Sequence, residues 1–249
     1  MKLLTIIKLG GSLVKDLQSQ NKLIKELVVL SQKQNIILVH GGGHEINILL
    51  KKFKIKNKFI NGLRFTDKKT LSIVEMVLSG KVNKILVTEL IKNGAQAVGI
   101  SGKDAKSVIC KQIRRFGFVG EPIKINKKLI KILTDNNFLP VIAPMGLDVK
   151  NNVMNINADT LAAAIAIAFK ANKLIFLTDV LGVFDKNKNM IKNIKVKDMN
   201  TLIKNGVITG GMIPKLYSCI NAVKKGVKEV WISNKINGMQ KSKGTLIKK

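Results

Sequence analysis

The patterning of the chain predicts an α/β fold, a three-layer αβα sandwich with a central, mostly parallel sheet. Three observations support this expectation. β-branched and aliphatic runs of strand length alternate with segments of helical spacing, and the first two such runs each end in glycines. No repeat, low-complexity stretch or linker interrupts the alternation along the 249 residues. A chain of this length can bury a large core as one domain or as two lobes.

Taken in order, "LLTIIKL" at 3–9 reads as a buried strand ending in Gly10 and Gly11, with a helix after it from about 16 to 34. "NIILV" at 35–39 is a second strand. Gly41, Gly42 and Gly43 then open a helix whose apolar residues Ile46, Leu49, Leu50 and Phe53 have helical spacing. Further strands are expected at 95–101, 138–144, 173–180 and 228–233, and helices at about 67–92, 127–136, 158–171, 197–205 and 211–225. Segments 58–65, 108–125 and 148–156 look like hairpins or excursions. Strands joined through helices pair in parallel, and ligands of such sheets lie beyond the strands' carboxyl ends.

Composition narrows the classes. A net charge of +29 invites a nucleic-acid reading, because phosphate neutralisation is the usual use of such a surplus. Yet of 44 basic residues only Arg64, Arg114 and Arg115 are arginine, there is one Trp and one Tyr, and the lysines form no block. Nucleic-acid readers favour arginine forks and stacking aromatics, so no specific nucleic-acid partner is expected, and a basic nucleic-acid-binding protein is kept as the alternative class. The apolar run "LAAAIAIAF" at 161–169 is too short to cross a bilayer, and Lys8 interrupts what could otherwise open a signal peptide. A cytoplasmic location without membrane contact is expected. Cys110 and Cys219 stand alone and read as small core residues.

The densest cluster of chemistry is "LVHGGGHEIN" at 38–47, which holds both histidines. His40, His44 and Glu45 are all metal-ligand types, but the glycines disfavour a helix between the histidines, and a zinc-protease order needs histidine where Ile48 stands. An esterase oxyanion hole would need a G-x-S-x-G turn, and its closest approach, Gly99 to Lys103, fails at the last position. A glycine turn at a strand's carboxyl end that opens a helix points bare N–H groups at an anion; the bland alternative is a tight turn without ligand. G-x-G-x-x-G fails at Ile46, and the Walker pattern fails at Asp104 after Gly102-Lys103. No dedicated metal site is expected.

Six segments then occur in the order and spacing of one family: "IIKLGGS" with Lys8, "VHGGG" at 39–43, "NGLRFT" at 61–66, "MNINADTLAAAIA" at 154–166, "FLTDVLGVF" at 176–184 and "GVITGGMIPKL" at 206–216. From about residue 3 onward the chain resembles the amino-acid kinase family, in its acylglutamate branch. The resemblance implies a mostly parallel eight-stranded sheet, an N-terminal lobe (1–171) for an acyl amino acid and for dimerisation, and a C-terminal lobe (172–249) for ATP. It implies transfer of a phosphoryl group from ATP, with Mg2+ carried on the nucleotide phosphates, to the side-chain carboxylate of N-acetyl-L-glutamate in arginine biosynthesis. A carrier-linked aminoadipate kinase is the nearest alternative within the family, since one methylene separates the substrates.

The resemblance also assigns roles. Lys8 and Lys215 flank the transferring group, and Asp159 aims both; read without the family, Asp159 at the start of an apolar helix is an N-cap. Amides of Gly11, Gly42 and Gly43 hold phosphate oxygens. Arg64 clamps the substrate α-carboxylate, and Asn155 serves the α-carboxylate or the acetyl group. ATP contacts fall on Gly11, on Asp179, Val180, Leu181, Gly182, Val183 and Phe184, and on Val207, Ile208, Thr209 and Met212. His40 reads as structural. Because Lys8 lies eight residues from the start, the extra N-terminal helix of arginine-inhibited hexameric members is not expected, which points to an unregulated homodimer.

Overall fold

The computed structural model describes residues 3–11, 21–60, 62–236 and 244–249. Strand β1 (Leu4–Leu9) runs into Gly10 and Gly11, and α1 (Asn21–Lys33) buries Leu23, Ile24, Leu27 and Val28 along one helical stripe. The opening part of the helix expected from about 16 lies outside the described residues. Next come β2 (Asn35–His40), α2 (Gly43–Lys52) and a short hairpin of β3 (Phe59–Ile60) and β4 (Leu63–Arg64). The helical segment expected over 67–92 starts at Asp67, whose side chain accepts the Thr70 amide at 2.7 Å. It comprises α3 (Lys68–Glu75), a π-helical stretch Met76–Val82 and α4 (Asn83–Lys92).

Beyond it lie β5 (Ala97–Ser101), β6 (Val108–Gln112), β7 (Val119–Ile125), α5 (Lys128–Asp135), β8 (Leu139–Ala143), β9 (Met145–Asp148) and β10 (Val153–Ile156). The last third adds α6 (Ala158–Ala168), β11 (Lys173–Leu177), β12 (Asn193–Lys195), α7 (Met199–Lys204), α8 (Met212–Lys224), β13 (Glu229–Ser233) and β14 (Thr245–Lys248). Among the described residues eight strands form one sheet in the order β12-β14-β13-β11-β1-β2-β8-β5. The six from β13 to β5 are parallel, and only β14 pairs antiparallel, with β13.

Alternation along each strand separates two hydrophobic layers. Ile6, Ile37, Val39, Ile142, Leu174 and Phe176 pack on one face with Leu161 and Ile165 of α6 and Leu216 and Cys219 of α8. Ile7, Leu9, Ile36, Leu38, Ile175 and Leu177 pack on the other with α1, α2 and the 68–92 helix. Parallel strands buried on both faces read as unbroken apolar runs, which is why the sequence exposes them. Both cysteines are buried and free in the first layer.

Three expectations need correction. The strand expected over 173–180 stops at Leu177, because its neighbour β1 ends there in glycine; Gly10 donates to the Leu177 carbonyl at 2.9 Å and closes the ladder. The helix expected over 158–171 ends at Ala168. Lys170 takes a positive φ of 50°, and the Ala171 amide returns to the Ala166 carbonyl at 2.9 Å, a left-handed cap. Of the three excursions, 58–65 is the β3–β4 hairpin, whereas the antiparallel pairs β6–β7 and β9–β10 do not stand apart but join in a small closed barrel through the parallel pairings β6·β9 and β7·β10.

Candidate active site

The carboxyl ends of β1, β2 and β11 meet at one edge of the sheet, where bare strand ends and helix starts leave polar backbone unpaired. Lys8 sits one residue from the end of β1, between Val39 and Phe176, and alternation turns it to the face covered by α6 and α8. A lone ammonium buried there would be strongly destabilising. It is instead paired with Asp159 at 2.9 Å. Lys215, on the first turn of α8, reaches the other oxygen of the same carboxylate at 3.1 Å, and its ammonium lies 5.5 Å from the centre of the Phe176 ring. All three side chains are at most 13% exposed.

Burial pulls the Lys8 pKa below its ordinary value, with Asp159 opposing and Lys215 adding to the fall. For Asp159 burial pushes upward, but Lys8 and Lys215 together hold the carboxyl below the usual carboxylate range. Two cations sharing one anion leave a net positive charge at the sheet edge.

Asp159 is not the N-cap of α6. Asn157 is: its side-chain oxygen accepts the amides of Asp159 and Thr160 at 2.9 and 3.1 Å. Asn157 satisfies the helix start, so both Asp159 oxygens are left for the lysines. The small residues of "ADTLAAAIAIA" let α6 lie close against β1 and bring Asp159 within reach of Lys8.

The two glycine turns abut. Gly41 donates to the Leu9 carbonyl at 3.0 Å, and a Cβ on Gly41 would stand 3.3 Å from the Gly11 nitrogen. Gly42 is also closely packed: a Cβ there would lie 2.6 Å from Leu78 Cδ2, on the π-helical stretch, so that side chain would have to shift. Gly43 opens α2 and faces the solvent side, so the first-turn amides of that helix and its positive dipole end point out of the turn. His40 is fully buried behind them. Its Nδ1 contacts the Gly41 carbonyl at 2.8 Å and its Nε2 the Asn83 amide nitrogen at 3.2 Å, which fits a neutral ring with the proton on Nδ1. Burial lowers its pKa to about 4.

Beside the turns lies a cleft of about 180 Å³, lined among others by Gly42, Gly43, Leu63, Arg64, Asn155 and Asn157. Arg64 is buried, its guanidinium over the Phe59 ring at 4.8 Å, with Nη2 donating to Asn47 Oδ1 at 2.7 Å and Nη1 donating to Asn57 Oδ1. Burial lowers its pKa to about 10, which leaves it charged at neutral pH. Asn155 on β10 donates to Thr66 Oγ1 at 3.0 Å. Asn61, the first residue of its motif, lies outside the described residues.

The segments expected to meet nucleotide flank the triad on the β11 and α8 side. Asp179 accepts the Thr178 hydroxyl at 2.9 Å, and Val180 and Leu181 are exposed. Val183 and Ile208 are core side chains, so any ligand contact there falls to backbone. Val207 packs on the same core and Met212 begins α8 just after Thr209; Phe184 bridges to Met190. Sequence reasoning missed Thr245, whose hydroxyl accepts the Val183 amide at 2.8 Å and donates to the Ile191 carbonyl at 2.7 Å, bracing the loop that contains Gly182. It also missed Asn47, Asn57, Phe59 and Phe176. Only the "IN" after the glycine turn, with Asn47 one helical turn past Gly43, offered a sequence signal for any of them.

Among the described residues no group of three or more His, Cys, Asp or Glu is placed to hold a metal ion, and no helix is long and apolar enough to cross a membrane. Over the full length of both chains, the protein is 65% identical to the acetylglutamate kinase of Endomicrobium trichonymphae. It is 43% identical to that of Clostridioides difficile (strain 630) over 233 residues, covering 91% of this chain and 82% of the relative. The crystal structure of smu.665 from Streptococcus mutans UA159 superposes with a TM-score of 0.89 at 33% identity, covering 100% and 99% of the two chains. The profile of the amino acid kinase family matches residues 4–234, and the chain belongs to that family.

Proposed function

We infer that this enzyme transfers the terminal phosphoryl group of ATP to the side-chain carboxylate of N-acetyl-L-glutamate, an acyl-phosphate-forming step of arginine biosynthesis. The observation that carries the reading is the buried Lys8–Asp159–Lys215 triad beside a small cleft that holds Arg64. The identity to named acetylglutamate kinases supports it. A carboxylate is already a nucleophile, so transfer between two anions calls for fixed positive charge more than for a base. Lys8 and Lys215 supply that charge, and Asp159, paired with both, keeps them aimed without reorganisation.

In this reading the amides of Gly11, Gly42 and Gly43 hold phosphate oxygens, Arg64 grips the α-carboxylate, and Asn155 receives the α-carboxylate or the acetyl group. Asp179 to Phe184, Val207 to Thr209 and Met212 hold the nucleotide. Residues 1–171 act as the acyl amino acid lobe and 172–249 as the ATP lobe. Asp159 is already engaged by two lysines, so the donor set suits magnesium carried on the nucleotide phosphates, where it neutralises their charge. A cytoplasmic homodimer is proposed on the family resemblance. The test is a coupled assay of ADP release with ATP and a panel of acyl and free amino acids. N-acetyl-L-glutamate is expected to give the highest kcat/KM; a preference for a free amino acid or an aminoadipate derivative would overturn the assignment.

A further inference from the structure

Arg64 is a buried cation with no acidic partner within ion-pair distance among the described residues. What holds it is neutral. Nη2 donates to Asn47 Oδ1 at 2.7 Å and lies 3.4 Å from the Gly43 carbonyl; Nη1 donates to Asn57 Oδ1; and the Phe59 ring covers one face at 4.8 Å. Asn57 Nδ2 in turn donates to Asn47 Oδ1 at 2.9 Å, which locks both amide oxygens toward the guanidinium. The two asparagines come from different elements, α2 and the loop before β3, and converge on this one group. Asparagine is a poor helix former, so Asn47 is not explained by helix stability.

An aspartate at either place would grip the guanidinium more strongly, but it would also neutralise it and compete with an incoming carboxylate. We propose that Asn47 and Asn57 are positioning residues that fix the Arg64 fork through neutral amide oxygens, leaving its charge and remaining N–H groups for the substrate carboxylate. The proposal rests on the assignment of Arg64 to the acyl amino acid.

The test compares Asn57→Ala, Asn57→Asp and Asn47→Ala with Arg64→Lys, reading KM for N-acetyl-L-glutamate, KM for ATP, kcat, Tm, and calorimetric binding of N-acetyl-L-glutamate without ATP. Each alanine variant is expected to raise the acylglutamate KM roughly three- to tenfold, with kcat and the ATP KM unchanged, since one hydrogen bond that orients the fork is lost. Asn57→Asp is expected to hold Tm at or above that of the parent and yet raise the same KM at least as far as Asn57→Ala. A wild-type KM in Asn57→Asp, or a change below twofold in Asn57→Ala, overturns the proposal while leaving the Arg64 assignment intact. An unchanged KM in Arg64→Lys overturns both.

Discussion

The triad and the Arg64 clamp handle positive charge in opposite ways. Lys8 and Lys215 are partly compensated from within by Asp159, whereas Arg64 is held by two amides and has no acidic partner among the described residues. The difference matches the timing of the charge each would meet. A substrate α-carboxylate is fully charged when it binds, so an open guanidinium acts on affinity. Charge on a transferring phosphoryl group shifts during the reaction, so lysines pre-aimed by an internal acid act on rate. A buried ion network also adds little to stability compared with well-packed apolar residues, so its presence among Ile6, Phe176 and Leu216 is better explained by chemistry than by folding.

The largest expected effect follows from the triad. Lys8→Ala or Lys215→Ala should lower kcat roughly 10²- to 10³-fold with modest change in either KM. A fall of less than about threefold would remove both lysines from the account of the rate.

The clamp should give a smaller effect in a different parameter. A lysine ammonium cannot reproduce the planar fork, so Arg64→Lys should raise the KM for N-acetyl-L-glutamate about ten- to hundredfold and leave that for ATP nearly constant. Loss of ATP affinity instead would place Arg64 on the wrong ligand.

The smallest effect concerns His40, which carries neither charge nor ligand in this account. Its folded pKa of about 4 lies below the ordinary 6.5, so on acidification the unfolded chain takes up the proton first. Stability is therefore lost as pH falls from about 6.5 towards 4, by roughly 1 kcal/mol over the first unit. Denaturant unfolding of the parent and of His40→Gln should show the slope in the parent and a flatter profile in the variant; parallel profiles would mean that His40 is not buried neutral.

The sheet was legible because its central strands are buried on both faces and so read as unbroken apolar runs, from "LLTIIKL" to "KEVWIS". Strands β12 and β14 escaped notice: each is short and flanked by lysines, and each earns its place only by pairing with residues far along the chain. The closed barrel was missed for the same reason, since β6·β9 and β7·β10 are long-range pairings with no local signal. At the site, Lys8, Asp159, Lys215, Arg64 and Asn155 stood out by motif, and the structure gathers the first three in the triad and the last two in the cleft. Local roles were harder to read. Asp159 looked like a cap because it precedes an apolar helix, but Asn157, two residues earlier, has the geometry. The HGGG run suggested close approach by a ligand; the neighbours that crowd Gly41 and Gly42, Gly11 and Leu78, are distant in sequence and gave no local signal. Asn57 and Thr245 act through tertiary contacts with no characteristic spacing, which no single sequence displays, and Asn47 left only its place one helical turn past Gly43 as a signal.

The division between rate and affinity is tested most directly by the Lys8→Ala, Arg64→Lys double variant, measured for kcat and both KM values beside each single variant. The account predicts that kcat falls as in Lys8→Ala alone while the acylglutamate KM rises as in Arg64→Lys alone, the two losses multiplying in kcat/KM. If the double variant is no worse than either single one, or if each single change moves kcat and KM together, the two cationic groups act as one unit and the division is wrong.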